Sequence, residues 1–364
     1  MKRYDVGWGA ISACNMRCQF CYSKDVRSEV GSQDVGLKEW IAFVDNNHES
    51  IDSINYGTGE NSISDDWFTL IDYVTTNYPT IKQAITTNGT LYKRMKDNPR
   101  YEELVNKCIS EIDVSLDFCI PEKHNELRGL NNAYTNAVNM LDYCKDKDIE
   151  ATLVFIGIED VLKIDNLKGI FEIAGNCNAK LRTNIFRPTN IDHPGTERFI
   201  AKYDTILSTL KWINDNHKIL YLGDPLFSNV LSKDKKNIAA DPSGDSSIRI
   251  LSNGDITPST YLINKEFRKY NIATPDVLKN LNFGDLGMNS AIPDECAGCK
   301  YANECRGGVL DRRYLWYKTF NCRDPYCIYR EGHKEPDFKV DINPDNVEVK
   351  SVHKDYLPTM FFAN

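Results

Sequence analysis

Three cysteines near the start of the chain are spaced so that their sulfurs can share one metal centre. Cys14, Cys18 and Cys21 follow a C-x3-C-x2-C pattern within eight residues. A disulfide needs a particular Cα separation and Cβ direction, so these three cysteines cannot be bridged among themselves without strain. A [4Fe-4S] cluster takes four cysteine ligands, and three ligands leave one iron open. An open iron can hold a substrate or a cofactor.

Zinc is the alternative metal for the same thiolates. A structural zinc site takes four Cys or His ligands, and the histidine nearest to this loop is His48. The spacing therefore favours an iron–sulfur cluster, and a zinc knuckle or a chance run of buried cysteines is the alternative.

A second group of cysteines lies towards the C-terminal end. Cys296, Cys299 and Cys305 follow C-x2-C-x5-C, and Cys322 and Cys327 come after them. Several cysteines in one short stretch, with Gly and Pro between them, indicate a metal site. A zinc ribbon has a similar spacing, so zinc is the alternative for this group as well.

Composition excludes several classes of partner. The chain has 364 residues, a net charge of −8 and a pI of about 5.4. It has no basic stripe, so neither nucleic acid nor an anionic membrane is an expected partner. Met1-Lys2-Arg3 is not followed by an apolar run, which predicts no signal peptide. Twelve cysteines in such a chain are better explained as metal ligands than as disulfides, and we expect a cytoplasmic protein.

The elements that must position these residues alternate between strands and helices. Six βα units over the first two-thirds of the chain predict a parallel sheet with right-handed crossovers. The expected fold class is α/β, a partial (β/α)6 barrel with its active site at the C-terminal ends of the strands. The predicted strands are Val6–Ser12, Ile51–Tyr56, Ile81–Thr87, Glu111–Asp117, Ile149–Ile156 and Lys180–Arg187. The predicted helices include Leu37–Val44, Asp65–Thr75, Ala133–Lys145, Asn166–Ala174 and Glu197–Asn216.

Polar residues follow two more of the predicted strands. Gly57-Thr58-Gly59-Glu60 comes after the second strand. A Gly-rich turn lets the backbone approach a ligand, and a carboxylate there can accept from an ammonium group. Ser115 lies in the fourth strand and Arg128 follows it. An ordinary βα turn, a capping Ser and a surface Arg are the alternatives.

The first three cysteines, with the aromatic Phe20 just before Cys21, resemble the motif of the radical S-adenosylmethionine (radical SAM) superfamily. The resemblance implies that the open iron binds the amino and carboxylate groups of SAM. It also implies that a 5′-deoxyadenosyl radical abstracts hydrogen from an unreactive C–H bond. The cofactor supplies that chemistry, and the protein supplies position and exclusion of water.

The strand-end residues fit the same resemblance. Gly59 and Glu60 are similar to the family's Gly-Gly-Glu motif, with Thr58 where the family usually has Gly, which implies that Glu60 binds the SAM amino group. The segment from Ser115 to Arg128 looks like a pattern of peptide-modifying members. It implies Ser115 near the SAM ribose or carboxylate and Arg128 as a bidentate clamp on the carboxylate. The implied cofactor-binding residues are Phe20, Gly59, Glu60, Ser115 and Arg128.

The second group of cysteines resembles the SPASM/twitch auxiliary-cluster domains that follow radical SAM barrels. A full SPASM domain holds two auxiliary clusters, but the cysteines of one are absent here, and Ser259 and Val309 occupy two of the positions. The cysteines of the other auxiliary cluster are present, which implies one auxiliary [4Fe-4S] cluster that is ligated only by protein and serves electron transfer. Asp324-Pro325-Tyr326-Cys327 looks like the family's closing motif and favours Cys327 over Cys322. The implied ligands are Cys296, Cys299, Cys305 and Cys327.

The predicted domains are a radical SAM partial barrel at 1–217, an auxiliary-cluster domain at 218–335 and a C-terminal tail at 336–364. Lys218–Ser243 reads as a connector with a run of Lys and Asp. A hairpin is expected over Ser246–Pro258, because Asn253-Gly254 is a favourable turn.

The tail is predicted to contain a second hairpin, Phe338–Ile342 with Val347–Val352. Its apolar end, Met360-Phe361-Phe362, either covers the barrel mouth, pairs with an edge strand or is disordered.

Two classes of substrate fit these expectations. The segment from Ser115 to Arg128 and the auxiliary domain favour maturation of a ribosomally synthesised peptide by a crosslink, a thioether or an epimerisation. The alternative is a dehydrogenase or epimerase of a small molecule such as an aminocyclitol or a sugar. A third hypothesis is that the protein is a non-catalytic zinc scaffold without a substrate. A peptide needs either a separate carrier protein or direct capture in the cavity. A reductant such as flavodoxin or ferredoxin is a further expected partner.

Overall fold

The computed structural model describes residues 2–234, 239–288, 292–342, 351–354 and 356–364. Six strands run parallel to one another in chain order, each paired with the next. The predicted α/β fold with six parallel strands is therefore confirmed. These strands are β1 Tyr4–Trp8, β2 Ile51–Tyr56, β3 Lys82–Thr87, β4 Glu111–Ser115, β5 Ala151–Gly157 and β6 Lys180–Ile185.

Amphipathic helices fill the connections between these strands. In the third helix, apolar residues at helical spacing are buried against the sheet, among them Trp67, Leu70, Ile71 and Val74. The helices up to the sixth crossover are α1 Lys24–Val30, α2 Leu37–Asn47, α3 Asp65–Asn77, α4 Leu91–Asp97, α5 Pro99–Cys108, α6 Pro121–Arg128, α7 Ala133–Asp146, α8 Ile164–Asn176 and α9 Tyr203–Asn216.

The sheet continues beyond the six parallel strands on both sides, in the order β10-β9-β8-β1-β2-β3-β4-β5-β6-β11-β7. Next to β1, β8 is parallel, and β9 pairs with β8 in an antiparallel hairpin. On the other side, β11 is antiparallel to both β6 and β7. The added elements are β7 Lys218–Leu222, α10 Pro225–Leu231, β8 Ser247–Ile250, β9 Asp255–Thr257, β10 Tyr270–Asn271, α11 Ala302–Cys305, α12 Leu310–Tyr317 and β11 Met360–Ala363.

The two faces of the sheet differ in character. Aromatic and aliphatic residues such as Trp8, Ile54 and Tyr56 are fully buried in the main core. Asn55, which lies between Ile54 and Tyr56, and Thr86 line a cavity on the other face. Parallel strands are normally covered on both faces, so this polar face needs an occupant.

Several predictions about elements needed correction. The connector predicted at Lys218–Ser243 begins instead with β7 and α10, and helix Glu197–Asn216 becomes a 3-10 turn followed by α9. The first strand ends at Trp8 rather than Ser12. The hairpin predicted at Ser246–Pro258 is confirmed by β8 and β9.

The expectation that the chain's apolar end pairs with an edge strand is correct, because Met360–Ala363 forms strand β11 and pairs with the edge strand β7. β11 itself lies between β6 and β7. The hairpin predicted around residues 338–352 lies largely outside the described residues.

Candidate functional site

The three-cysteine loop, residues 9–23, lies at the C-terminal end of β1. Cys14, Cys18 and Cys21 are half-buried free thiols on this loop. Burial raises the pKa of Cys14 to about 11, so metal binding there must displace protons.

Two arginines donate hydrogen bonds to sulfurs of this loop. Arg27 reaches Cys21 Sγ at 3.7 Å and Arg128 reaches Cys18 Sγ at 3.9 Å. Positive groups beside thiolates stabilise the deprotonated form that a metal needs. Three half-buried thiols, two of which accept arginine N–H donors, fit the predicted iron–sulfur cluster.

The end of α6 holds the three-cysteine loop in place. The backbone N–H groups of Arg17 and Gln19 donate to the carbonyl oxygens of Arg128 and Leu127, both at 3.1 Å. Gly129 caps this helix with φ of 65°, and a Cβ there would lie 2.8 Å from Arg17 O. A glycine is therefore required by both conformation and space.

Arg128 lies where the sequence predicted a cofactor clamp. Its Nε donates to Asp117 Oδ2 at 2.6 Å, and its guanidinium lies 5.0 Å from the Phe20 ring centre. The other oxygen of Asp117 accepts from Ile156 N at 3.0 Å. Arg128, Phe20 and Ser115 line the same cavity, so the structure brings together three of the five predicted cofactor residues.

The turn after β2 packs directly against the three-cysteine loop. Gly59 has φ of 71°, and a Cβ there would lie 2.6 Å from Ala13 O. Glu60 N donates to the same Ala13 carbonyl at 3.0 Å. The turn thus supports the backbone immediately before Cys14.

The carboxylate of Glu60 already has protein donors. It is 1% exposed and accepts from Ser62 Oγ at 2.6 Å, from Thr87 Oγ1 at 3.0 Å and from Asn88 N at 2.8 Å. Burial raises its pKa, and these donors oppose the rise. Its clear contribution is to join the ends of β2 and β3, and its predicted contact with the SAM amino group stays a prediction.

A cavity of about 730 Å³, counted to its open mouth, lies under the three-cysteine loop. We call it the barrel cavity. Phe20 and Tyr22 line it from the loop, and residues of six strands line it from the sheet. Among them are Asn55, Thr86, Ser115, Val154, Arg182, Asn184 and Arg249. In β6, Arg182 and Asn184 alternate with residues of the opposite face, and both face this cavity.

The C-terminal segment, described at 351–354 and 356–357, also lines the barrel cavity, through His353, Tyr356 and Leu357. Glu111 anchors it by accepting from Ser351 Oγ and from Val352 N at 2.9 Å. Coverage of the barrel mouth is one of the placements expected for the last stretch of the chain. The contact with Glu111 could not be predicted, because no local pattern connects these residues with β4.

His353 lies among charged groups below the barrel cavity. Its Nδ1 is 3.2 Å from Asp113 Oδ2 and 3.4 Å from Glu111 Oε1, and Arg182 also pairs with Asp113. Burial lowers the pKa of His353 to about 3 and raises the pKa values of Glu111 and Asp113. His353 is therefore neutral in the folded protein at neutral pH.

The second group of cysteines surrounds a separate cavity of about 360 Å³. Cys296, Cys299, Cys305 and Cys327 line it together with apolar side chains such as Val230. Cys322 is not among the lining residues, and its thiol donates to Thr319 O at 3.4 Å. The structure thus brings together the four predicted ligands and leaves Cys322 outside.

The spacing of possible ligand atoms bears on the zinc alternative. Tetrahedral zinc with bonds of about 2.3 Å holds its sulfurs just under ~4 Å apart. Among the described residues, the group with ligand atoms all within 4.8 Å of one another is Glu111, Asp113 and His353, and no three cysteines form such a group. The iron–sulfur interpretation of both cysteine sets therefore stays a prediction, with zinc as the alternative.

Ser259 and Val309, where a second auxiliary cluster would need cysteines, serve other purposes. Ser259 Oγ donates to Asp311 Oδ2 at 2.8 Å, and Arg187 Nε lies 2.9 Å from Asp311 Oδ1. Val309 is fully buried. A polar network occupies this region, in agreement with a single auxiliary cluster.

Cys119, which follows β4, does not face the barrel cavity. A Cβ built on Gly169 of α8 would lie 2.6 Å from its sulfur. Cys119 therefore packs against α8. Among the described residues that line the barrel cavity, none is a cysteine.

The fold and the three-cysteine loop define the class of protein. Residues 10–168 match the family model described as "Radical SAM superfamily". Residues 10–168 are therefore a radical SAM domain, and the prediction of a radical SAM enzyme is confirmed. The SPASM/twitch-like character of the C-terminal part is consistent with the similar proteins and stays a prediction.

Similar proteins cover most of the chain. Mycofactocin maturase MftC of Mycobacterium tuberculosis is 22% identical over 352 residues, which cover 90% of this chain and 83% of MftC. AdoMet-dependent heme synthase of Methanosarcina barkeri is 22% identical over 358 residues, which cover 90% of this chain and 97% of that protein. Streptococcus suis SuiB bound to S-adenosylmethionine shares the fold with a TM-score of 0.69 at 16% identity, over 90% of this chain and 77% of SuiB.

None of the helices in the described residues is both long enough and apolar enough to span a bilayer.

Proposed function

We propose that this enzyme matures a ribosomally synthesised peptide by abstracting hydrogen from an unactivated C–H bond. MftC is named a maturase, and SuiB has been solved bound to its precursor peptide SuiA. Both likenesses extend over 90% of the chain, beyond the SAM-binding part. The proposed reaction is a crosslink, a thioether or an epimerisation.

The observation that carries this proposal is the pair of open clefts beside the three-cysteine loop. They measure about 530 and 940 Å³, counted to their open mouths, and both are lined by Gln19 and Phe199. The smaller cleft shares Phe20 and Tyr22 with the barrel cavity. An extended chain can therefore cross the surface and present one residue at the cavity, which a compact small molecule does not require.

The connection between β6 and α9 forms one wall of these clefts. Thr189 Oγ1 donates to Tyr22 O at 2.9 Å, and Arg198 donates to Gln19 Oε1 at 2.7 Å. These bonds hold residues 186–199 against the three-cysteine loop. A bound peptide would contact both segments at once.

In this proposal, residues 1–217 bind SAM. Cys14, Cys18 and Cys21 hold a [4Fe-4S] cluster, which when bound supplies the electron that cleaves SAM. Arg128, oriented by Asp117, binds the SAM carboxylate. Phe20, Gly59, Glu60 and Ser115 complete the cofactor site.

Residues 218–335 would carry one auxiliary [4Fe-4S] cluster. We assign Cys296, Cys299, Cys305 and Cys327 as its ligands because they line one enclosed cavity. A cluster with four protein ligands has no open iron, so it would transfer electrons. In the described part of the tail, His353, Tyr356 and Leu357 line the barrel cavity. A reductant such as flavodoxin or ferredoxin and a peptide-carrier protein are the proposed partners.

Mass spectrometry of candidate peptides tests the proposal. Short peptides encoded beside the gene are incubated anaerobically with reconstituted enzyme, SAM and a strong reductant. We expect 5′-deoxyadenosine together with a loss of two hydrogens, or one deuterium gained from D2O. Unchanged peptides, with a small molecule modified under the same conditions, would overturn it.

A small-molecule substrate is the second candidate. The heme synthase is as similar to this chain as MftC, at 22% identity over the same 90% share. Aminocyclitols, sugars and tetrapyrroles therefore belong in the substrate panel. Genes for sugar or aminoglycoside metabolism next to this gene would favour this candidate.

A further inference from the structure

Arg249 is a buried arginine that lines the barrel cavity from β8. It is 1% exposed and pairs in register with Gly7 of β1. Its guanidinium lies above β1, since a Cβ built on Gly7 would be 2.7 Å from Nη1 and one built on Gly9 would be 3.3 Å from Nη2.

Among the described residues, no acidic side chain pairs with this guanidinium. Its Nη1 donates to the Tyr356 hydroxyl at 3.2 Å, whereas Nε and Nη2 have no hydrogen-bond partner among the described residues. The nearby groups that act on its charge are the hydroxyls of Tyr22, Tyr261 and Tyr356. The structure records no ion pair for Arg249 within the part of the chain that it describes.

The other two arginines of the barrel cavity are paired. Arg128 pairs with Asp117 at 2.6 Å, and Arg182 pairs with Asp113. Burying a charge is costly unless a counter-ion or a full set of hydrogen bonds compensates it. Arg249 is therefore the cavity arginine whose charge is left for a ligand to neutralise.

Two glycines of β1 make room for this arrangement. A Cβ on Gly7 would overlap the Tyr356 hydroxyl, and a Cβ on Gly9 would lie 2.7 Å from Thr58 Cβ. The hydroxyl of Tyr356 also shares a hydrogen bond of 2.7 Å with Thr260 Oγ1. The two glycines of β1 thus leave room for the Arg249 guanidinium, and the hydroxyl groups of Tyr356 and Thr260 lie close to it.

We propose that Arg249 binds a carboxylate of the substrate inside the barrel cavity. Its free Nε and Nη2 form the edge that pairs with the two oxygens of a carboxylate. The assignment rests on the proposed function, in which Arg128 beside Cys18 takes the carboxylate of SAM. The substrate carboxylate belongs either to a chain terminus or to an acidic side chain.

Stability of the reconstituted holoenzyme provides a test that needs no substrate. Removing an unpaired buried charge should raise the melting temperature, so Arg249→Met should melt higher than wild type. Arg182→Met is the matched control, and it should melt lower because Asp113 loses its partner. If Arg249→Met melts as low as Arg182→Met, Arg249 has a structural role and the proposal fails.

Binding of small carboxylates identifies the ligand. N-Acetylglycine mimics a chain terminus and N-acetylaspartate N′-methylamide mimics an acidic side chain, and N-acetylglycinamide is the neutral control. By calorimetry, we expect one of the two acids to bind wild type with saturating SAM present, with about tenfold weaker binding to Arg249→Lys and none to Arg249→Met. The neutral amide should not bind.

Two outcomes would overturn the assignment. Binding that SAM abolishes would assign Arg249 to the cofactor carboxylate, and the absence of binding by either acid would leave Arg249 without a ligand. Both differ from a failure of the proposed function, which would appear as unmodified peptides while acid binding persists.

Discussion

At the scale of single residues, the chemistry depends on sulfurs that arginine side chains contact. Arg27 and Arg128 donate to Cys21 and Cys18. Hydrogen bonds to cluster sulfurs and nearby charge tune the reduction potential of iron–sulfur clusters. The two arginines therefore link the geometry of the three-cysteine loop to its electronic properties.

Replacing all of Cys14, Cys18 and Cys21 by Ala should remove one of two clusters. Iron content should fall from about eight to about four per chain, and anaerobic cleavage of SAM should stop. Cys119→Ala, which changes a thiol that packs on α8, is the control and should keep both properties. SAM cleavage by the triple variant would contradict the interpretation of this loop.

The two late cysteines provide a matched pair of variants. Cys327→Ala should lose the auxiliary cluster, because Cys327 lines the cavity formed by the other three ligands. Cys322→Ala should keep it, since that thiol bonds to Thr319 O instead. Iron analysis and EPR of the reduced proteins would measure the difference, and the reverse result would exchange the two roles.

At the scale of elements, the C-terminal segment completes the barrel cavity. Glu111 binds its backbone, and His353 lies between Glu111, Asp113 and Arg182 with Tyr356 close by. Ser351, Val352, His353 and Tyr356 of this segment are buried. The segment therefore contributes to stability as well as to the shape of the cavity.

The depressed pKa of His353 makes this segment sensitive to acid. In the unfolded chain, the imidazole of His353 takes up a proton near pH 6.5. In the folded protein it does so only near its pKa of about 3. Its contribution to stability is thus complete above pH 6.5 and is lost as the pH falls towards 3, by at most about 1.4 kcal/mol per pH unit. The raised pKa values of Glu111 and Asp113 act in the opposite direction.

His353→Gln should therefore lose less stability than wild type between pH 6.5 and pH 5. Chemical denaturation across this range would measure the two slopes. His193→Gln, at an exposed site in the connection between β6 and α9, is the control. Equal slopes for His353→Gln and wild type would show that His353 is not the responsible group.

Sequence patterns predicted local elements better than long-range contacts. Strand β2 was predicted with its observed bounds, because a β-rich run is bounded by turn residues. Helix α6 was missed since Pro121–Arg128 is mostly polar, with His124 and Leu127 as its buried residues. The position of β11 between β6 and β7 depends on pairing between distant segments, which no local pattern encodes.

The candidate site shows the same limit. The cysteine sets follow from their spacing alone, whereas the hydrogen bonds of the Glu60 carboxylate depend on β3. The lack of an acidic partner for Arg249 among the described residues is a property of the packed cavity. Charge balance in a buried site therefore could not be predicted from the sequence.

At the scale of the whole molecule, a buried ion network connects separate segments of the C-terminal part of the chain. Arg312 of α12 pairs at 2.7 Å with Asp224, which caps α10, and at 2.7 Å with Asp324, which precedes Cys327. Asp324 also accepts from Val309 N and Tyr326 N. One guanidinium thus ties a helix of the C-terminal part to the loop that carries the fourth proposed ligand.

Arg312→Leu should lower the free energy of unfolding by about 3–5 kcal/mol, because it leaves two buried carboxylates without a partner. Arg3→Leu breaks the exposed pair with Asp52 and should cost less than about 1 kcal/mol. Urea denaturation of both variants would check the contrast. Similar losses for the two variants would show that the buried network does not stabilise the fold.

The position of β11 also affects how the protein is made. During translation the N-terminal part of a chain usually folds first, but here β6 and β7 cannot be joined until residues 360–363 have left the ribosome. Until then both strands present unpaired edges, which promote aggregation. A nonsense mutation just before β11 would therefore yield a nearly full-length product with a gap in its sheet, which chaperones and proteases would recognise.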